Sequence, residues 1–303
     1  MANGDATVVH GSIYFGAAAN TTDIADMYLV YCYDLSQDNW TTLTLPVRLS
    51  SLGQIDGKLV AVGGVKKSDN NITGEVYTYV EKSRKWKQTL PPMPTARANL
   101  SVLSLQSALI AVGGDIQHDT ATDTVEVLKL DTSQWYKTDQ IPRACNSISL
   151  VASGNTCYVL GGCSGHDDTI FFKHALHASV SDLLHNAVPA NQTTHSGSSD
   201  TQSAWKILPN TPTYTPAAAI LVGNLLTIGG GDKPVIGGTT MKEVYMYSTA
   251  TDSWIYISDL PVPRSNTTVA VLSATEILLV GGYNAASGDY VNTVYKGTLQ
   301  IEP

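Results

Sequence analysis

Along this chain, short apolar runs end repeatedly in a glycine pair. LVAVGG closes at Gly64, LIAVGG at Gly114, YVLGG at Gly162, LLTIGG at Gly230 and ILLVGG at Gly282; a weaker copy, IYFGA, puts Gly16 in the same place. The first glycines of these copies, at 16, 63, 113, 161, 229 and 281, are spaced by 47, 50, 48, 68 and 52 residues. Trp40, Trp86, Trp135, Trp205 and Trp254 keep the same beat. Runs such as NLSVLSL and SALIAVGG are almost continuously apolar, which predicts strands packed on both faces rather than strands with one side in water. Each unit therefore reads as an inner strand a, a turn, a strand b ending in Gly-Gly, a loop, a strand c, and an outer strand d that carries Trp. Tyr33, Tyr79 and Tyr247 stand seven residues before Trp40, Trp86 and Trp254, and Leu128 holds that place before Trp135. These large side chains are expected to fill the widening wedge between neighbouring units, so the aromatic residues are core by default.

A period near 50 with glycine pair, aromatic and Trp in that order resembles the kelch repeat, in which each copy forms one four-stranded blade. The resemblance covers essentially the whole chain. It implies an all-β, six-bladed β-propeller forming a single domain over residues 1–303, with blades at about 1–46, 47–94, 95–142, 143–209, 210–261 and 262–303. The last blade reads as incomplete: YVNTVYKGTLQIEP supplies strand c but no Trp-bearing strand d. Either TLQIEP folds back as a short strand or a strand from outside this sequence closes the blade; an open edge is a pairing liability, which favours the second. The fourth copy is long, with 44 residues from Gly161 to Trp205 against 22 to 25 elsewhere. Its excess, at about 179–203, is polar and reads as a mobile c–d loop with a single helical turn at Ser181–Asn186.

Composition narrows the function. A net charge of −8 disfavours nucleic acid and anionic membrane as partners, because both rely on summed Lys and Arg potential. No apolar run is long enough to span a bilayer, and the start of the chain lacks the basic and apolar regions of a signal peptide. Four cysteines are too few for a disulfide scaffold, so a reducing, cytoplasmic location is expected.

Antiparallel strands place the d–a and b–c loops on one face and the a–b and c–d loops on the other. On the first face an arginine marks the start of strand a in four copies: Arg48, Arg97, Arg143 and Arg264. They precede the next first glycine by 15, 16, 18 and 17 residues, and Tyr214 precedes Gly229 by 15 in the fifth copy. A ring of guanidinium groups at the mouth of a central pocket would suit an acidic or phosphorylated peptide. Ser50, Asn99, Asn146 and Asn266 could add hydrogen bonds. Kelch domains that recruit substrates to ubiquitin ligases include some that grip acidic segments with arginines at this position, and the resemblance implies a similar partner-binding role here. Arginine also belongs to the repeat consensus, where it bonds backbone carbonyls, so a structural role stays open for each.

Other kelch propellers bind actin or act as copper or sugar enzymes, and these are the alternatives. Five of the seven histidines fall in the fourth copy, at His166, His174, His177, His185 and His195. His174 and His177 are three apart and point to opposite faces of a strand, so they do not chelate together. No nucleophile elbow, phosphate loop or zincin motif is present. The expectation is therefore a binding domain that is not an enzyme, with no cofactor and no metal. Cys145 is placed roughly opposite Cys163 on the pocket face, as two reduced thiols or a redox pair.

Overall fold

The computed structural model describes residues 6–16, 28–117, 120–164, 170–190, 203–233 and 238–300. Each glycine-paired run is the second strand of an antiparallel meander. Blade three shows the pattern: strand a (Ser101–Ser104) pairs with b (Ala108–Val112), b with c (Val125–Lys129), and c with d (Gln134–Lys137). The same order builds blade one from Ala6–Val9, Ser12–Gly16, Leu29–Asp34 and Asn39–Thr44. Blade two follows with Ser51–Ile55, Lys58–Val62, Val76–Val80 and Lys85–Leu90. Blade four uses Ser149–Ser153, Thr156–Leu160, Ala175–Ser179 and Lys206–Leu208, and blade five Ala217–Leu221, Asn224–Gly231, Thr240–Ser248 and Ser253–Asp259. Blade six has three strands among the described residues, Thr268–Val271, Glu276–Val280 and Val294–Thr298.

The six a strands touch one another in sequence order, and the last contacts the first, so the sheets close into a ring. Together they line a central channel of 510 Å³, from Thr7 and Gln54 through Ser104 and Val151 to Ile220 and Val269. Every b strand is sandwiched between its neighbours. Leu109, Ile110, Ala111 and Val112 are buried in one unbroken run, which explains the continuous apolar pattern. Between blades two and three the buried Met93, Leu100, Leu128 and Trp135 form one cluster, and Trp135 donates its indole N–H to the Pro91 carbonyl at 2.8 Å. The aromatic residues of blades two to five thus fill the wedges, whereas Trp40 of blade one is 45% exposed. Tyr79 meets Trp86 at 5.2 Å between ring centres and Tyr247 meets Trp254 at 5.4 Å.

The described start of the fourth-copy excess, residues 179–190, holds the expected helical turn and a further edge strand. Ser179 caps a short helix, Val180–His185, by accepting from the Asp182 amide, and Leu183 is fully buried against the rest of the blade. Val188 and Pro189 then pair with Lys137 and Tyr136 as a fifth strand on the outer edge of blade three. Val180 and Leu183 in the core, the Thr138 hydroxyl on the Leu183 carbonyl, Asn186 on Asp139 and the two edge pairs dock this part of the segment, while residues 191–202 lie outside the described chain. No helix among the described residues is long and apolar enough to cross a membrane.

Candidate functional site

The glycine pairs decide the geometry of the mouth. Both glycines of each complete pair have positive φ, and a Cβ on Gly114 would lie 2.6 Å from the Ala98 carbonyl oxygen. Glycine lets the chain leaving strand b come this close to the segment that leads into strand a. The two segments then join in a short antiparallel bridge that recurs in every blade with a complete pair: Arg48 with Val65, Ala98 with Asp115, Asn146 with Cys163, Tyr214 with Gly231, and Ser265 with Tyr283. These bridges put the d–a and b–c connections on one face.

The bridges also number the mouth. Arg48, Ala98, Asn146, Tyr214 and Ser265 are equivalent residues. Leu49, Asn99, Ser147, Thr215 and Asn266 follow them, all in the left-handed region with φ between 45 and 56. Asparagine tolerates that conformation better than most residues, which is a backbone reason for its presence at 99 and 266. Arg97 and Arg264 stand one residue before the bridge, equivalent to Val47, Cys145 and Thr213, while Arg143 stands three before. The unequal distances of 15, 16, 18 and 17 to the next glycine record this offset. In extended chain one residue of shift turns a side chain to the opposite side.

The four arginines therefore do not form one ring, and the expectation of a shared guanidinium funnel is corrected. Arg97 is fully buried and folds back onto the b and c segments of its own blade. Its Nη1 donates to the Gly113 and Thr124 carbonyls at 2.8 and 2.9 Å, and its Nη2 pairs with Glu126, itself fully buried, at 2.9 Å. Burial pushes this guanidinium below its ordinary pKa, and Glu126 opposes the shift. Arg264 is buried alike, donating to the Gly281 carbonyl at 2.9 Å and the Thr293 hydroxyl at 3.0 Å while it lies 4.7 Å from the Tyr295 ring. The main chain of both residues also holds the preceding blade, since the Gly64 and Gly230 amides donate to the Arg97 and Arg264 carbonyls. They staple blades and offer nothing to a partner.

Arg48 and Arg143 reach the surface. Arg48 bonds Asn70 at 2.8 Å and lines a cleft of 690 Å³ with Asn71, Asn99, Asp115 and Gln117. Arg143 is exposed and stacks 4.5 Å from the Phe172 ring. On the other side of the mouth a second cleft, 360 Å³, gathers Tyr214, Asn266, Phe171, Tyr283, Tyr290 and Lys233. Lys173 lies 4.6 Å from the Tyr214 ring. Ser50 is half-buried beside Gly64, against which it packs.

Asp115 escaped the sequence reading. It is almost fully buried and accepts from Asn99 at 2.8 Å and from Asn146 at 2.7 Å. A carboxylate only accepts, so both amides turn their NH2 groups inward, and the Asn146 oxygen takes the Cys163 thiol at 2.8 Å. The mouth thus has an acidic anchor where a basic centre was expected. The available signal was position: Asp115 follows a glycine pair directly, as Tyr283 does. Cys145 does not face Cys163, because it sits one residue off the bridge. It is buried toward His174, with its sulfur 3.9 Å from Nε2. Burial pushes this thiol up to about 12 and holds His174 down to about 4, with Arg143 adding to the latter. All four cysteines are free, and among the described residues no group of three His, Cys, Asp or Glu is placed to hold a metal ion.

This geometry of glycine-hinged blades meets independent support in sequence. Residues 49–282 match the KLHDC2/KLHL20/DRC7 Kelch-repeats domain. The chain belongs to this kelch-repeat family. Kelch-like protein 41b of Danio rerio is 28% identical over 135 residues, 44% of this chain and 22% of that protein. Kelch-like protein 40 of Mus musculus is 31% identical over 137 residues, 44% of this chain and 21% of its own length. The Kelch repeat and BTB domain-containing protein 1 of horsepox virus is 22% identical over 210 residues, 69% of this chain and 33% of that protein. This kelch chain therefore spans only about a fifth to a third of these relatives. The solved structure of YjhT covers 99% of this chain and 95% of its own at 14% identity, with a TM-score of 0.76, and shows the same fold.

Proposed function

We propose that this kelch propeller is a protein-interaction domain that grips an extended, acidic segment of its partner across the d–a/b–c mouth. The observation that carries the reading is the split of that face. Arg48 lines the polar cleft, Arg143 stands exposed against Phe172, and Tyr214, Tyr283 and Tyr290 line the aromatic cleft with Phe171. Bidentate donors hold carboxylates, and tyrosines bury apolar area while keeping a polar tip. Asn99 and Asn146 act by fixing Asp115, Asn266 lines the aromatic cleft, and Ser50 packs beside Gly64 next to Arg48. Asp115 would repel a second carboxylate nearby, so the partner's acidic residues belong at Arg48 and Arg143 rather than at the centre. The relatives are Kelch-like and kelch–BTB proteins, which supports recruitment of a substrate to a larger assembly such as a ubiquitin ligase. A cytoplasmic location fits that reading, and no reaction or cofactor is assigned.

The test is selection of peptides from a random display library on the wild-type domain. Selected peptides are expected to be rich in Asp and Glu next to an aromatic residue. Binding should fall at least about tenfold with Arg48→Glu/Arg143→Glu, a loss of about 1.4 kcal/mol or more. Peptides bound equally well by this double variant would overturn the proposal.

A further inference from the structure

The two sides of the mouth differ at equivalent places on the b–c hairpins. Val65, Asp115, Cys163 and Tyr283, which form the bridges, pair across their hairpins with Ile72, Ala121, Phe171 and Tyr290 in turn. Blades two and three thus carry aliphatic side chains at this position, and blades four and six carry rings. With Tyr214 and Tyr283 these two rings wall the cleft of 360 Å³, where Tyr283 and Tyr290 lie 5.3 Å apart between ring centres. Rings from three blades make this side of the mouth a seat for a flat, apolar group.

The same cleft collects hydrogen-bond donors without an acid to meet them. Lys233 is exposed and is the one charged side chain that lines it among the described residues. The neighbouring carboxylate of Asp232 is taken up by the Thr239 amide at 2.6 Å. The Thr240 hydroxyl oxygen accepts from the Ala285 amide at 3.2 Å, which leaves its own O–H to donate elsewhere. The backbone adds a donor at Thr215. Its counterparts Asn99 and Ser147 share its left-handed conformation, and their amides donate to the Leu49 and Asn99 carbonyls of the preceding blades at 2.9 and 3.0 Å. The Thr215 amide makes no such bond among the described residues, and Thr215 lines the cleft. Backbone N–H groups released in left-handed or turning chain form concavities that bind anions.

We propose that this cleft takes a phosphotyrosine of the partner, with the ring among the four aromatic walls and the phosphate on Lys233, the Thr215 amide and the Thr240 hydroxyl. Phenylalanine or tyrosine brings a ring without an anion, and Asp, Glu or phosphoserine brings an anion without a ring. Phosphotyrosine carries both on one side chain, with a charge of about −1.5 to −2 at neutral pH. The inference rests on the reading of the mouth as a protein-binding face and gives its aromatic side a ligand chemistry of its own.

The probes are three short alanine peptides with phosphotyrosine, tyrosine or phosphoserine at the centre, titrated into the whole chain by calorimetry. The phosphotyrosine peptide should bind one-to-one and at least about tenfold more tightly than either counterpart. Lys233→Met should remove the advantage over tyrosine, and Tyr290→Leu most of the advantage over phosphoserine. Both side chains are exposed, so both variants should melt like the wild type. Absence of phosphotyrosine binding, or equal affinity for it and either counterpart, overturns the proposal whether or not the variants fold. An undiminished preference for phosphotyrosine in Lys233→Met also overturns it, by putting the phosphate elsewhere on the mouth. Displayed library peptides carry no phosphate, so the two readings fail separately. Acidic library peptides that bind through Arg48 and Arg143 while the phosphotyrosine peptide stays inert sink this proposal alone; phosphotyrosine binding with no acidic peptide selected supports it and sinks the acidic grip.

Discussion

Replacing Arg97 by Met removes a cation that water never reaches. Its partner Glu126 keeps a single described hydrogen bond, from the Thr95 hydroxyl at 2.8 Å, and the Gly113 and Thr124 carbonyls lose their guanidinium donor. A buried carboxylate stripped of its counter-charge costs about 3–5 kcal/mol. With an unfolding entropy near 2.1 cal/mol/K per residue, a 303-residue chain would melt roughly 5–8 °C lower. The double variant Arg97→Met/Glu126→Leu removes both charges together and should recover roughly half of that loss. The two bare carbonyls keep it below the wild type. Scanning calorimetry of wild type, both single variants and the double variant closes the cycle. A coupling energy near zero, or an Arg97→Met protein that melts with the wild type, would refute the buried staple.

Further expectations concern the backbone, acid and the tolerance of the mouth. Gly114→Ala forces a side chain into positive φ against the Ala98 oxygen and should cost at least about 3 kcal/mol, whereas Gly154→Ala, with nothing within 4 Å, should cost about 1 kcal/mol by thermal melt. His174 binds its proton near pH 4 when folded and at its ordinary 6.5 when unfolded. The unfolded chain therefore takes up the proton first, and stability present above pH 6.5 falls as the pH drops toward 4, by up to about 3 kcal/mol. His174→Phe should flatten denaturant stability across that window; an unchanged slope would contradict the buried neutral ring. Arg143→Glu, at an exposed cation–π contact, should move the melt by no more than about 0.5 kcal/mol.

The fold was readable because its signals repeat. A glycine pair that needs positive φ and an apolar run buried on both sides are local requirements, and each recurs in phase. The site was less readable because a face is decided by single-residue register. Arg97 and Arg48 look alike in sequence, one residue apart in phase, yet one is sealed against Glu126 and the other borders solvent. Asp115 was hidden because its role depends on two asparagines brought in from different blades. The docking of residues 180–190 was hidden too, since it rests on Val180, Leu183 and hydrogen bonds to Thr138, Asp139 and Asn155 within an otherwise polar stretch.

Arginine accessibility tests the division of the four candidates most directly. Native protein treated with phenylglyoxal and followed by peptide mass spectrometry should show Arg48 and Arg143 modified rapidly, with Arg97 and Arg264 protected until the whole domain unfolds. Labelling of Arg97 or Arg264 at the rate of Arg143 in the folded protein would contradict the buried placement, and with it the assignment of the mouth to the remaining two.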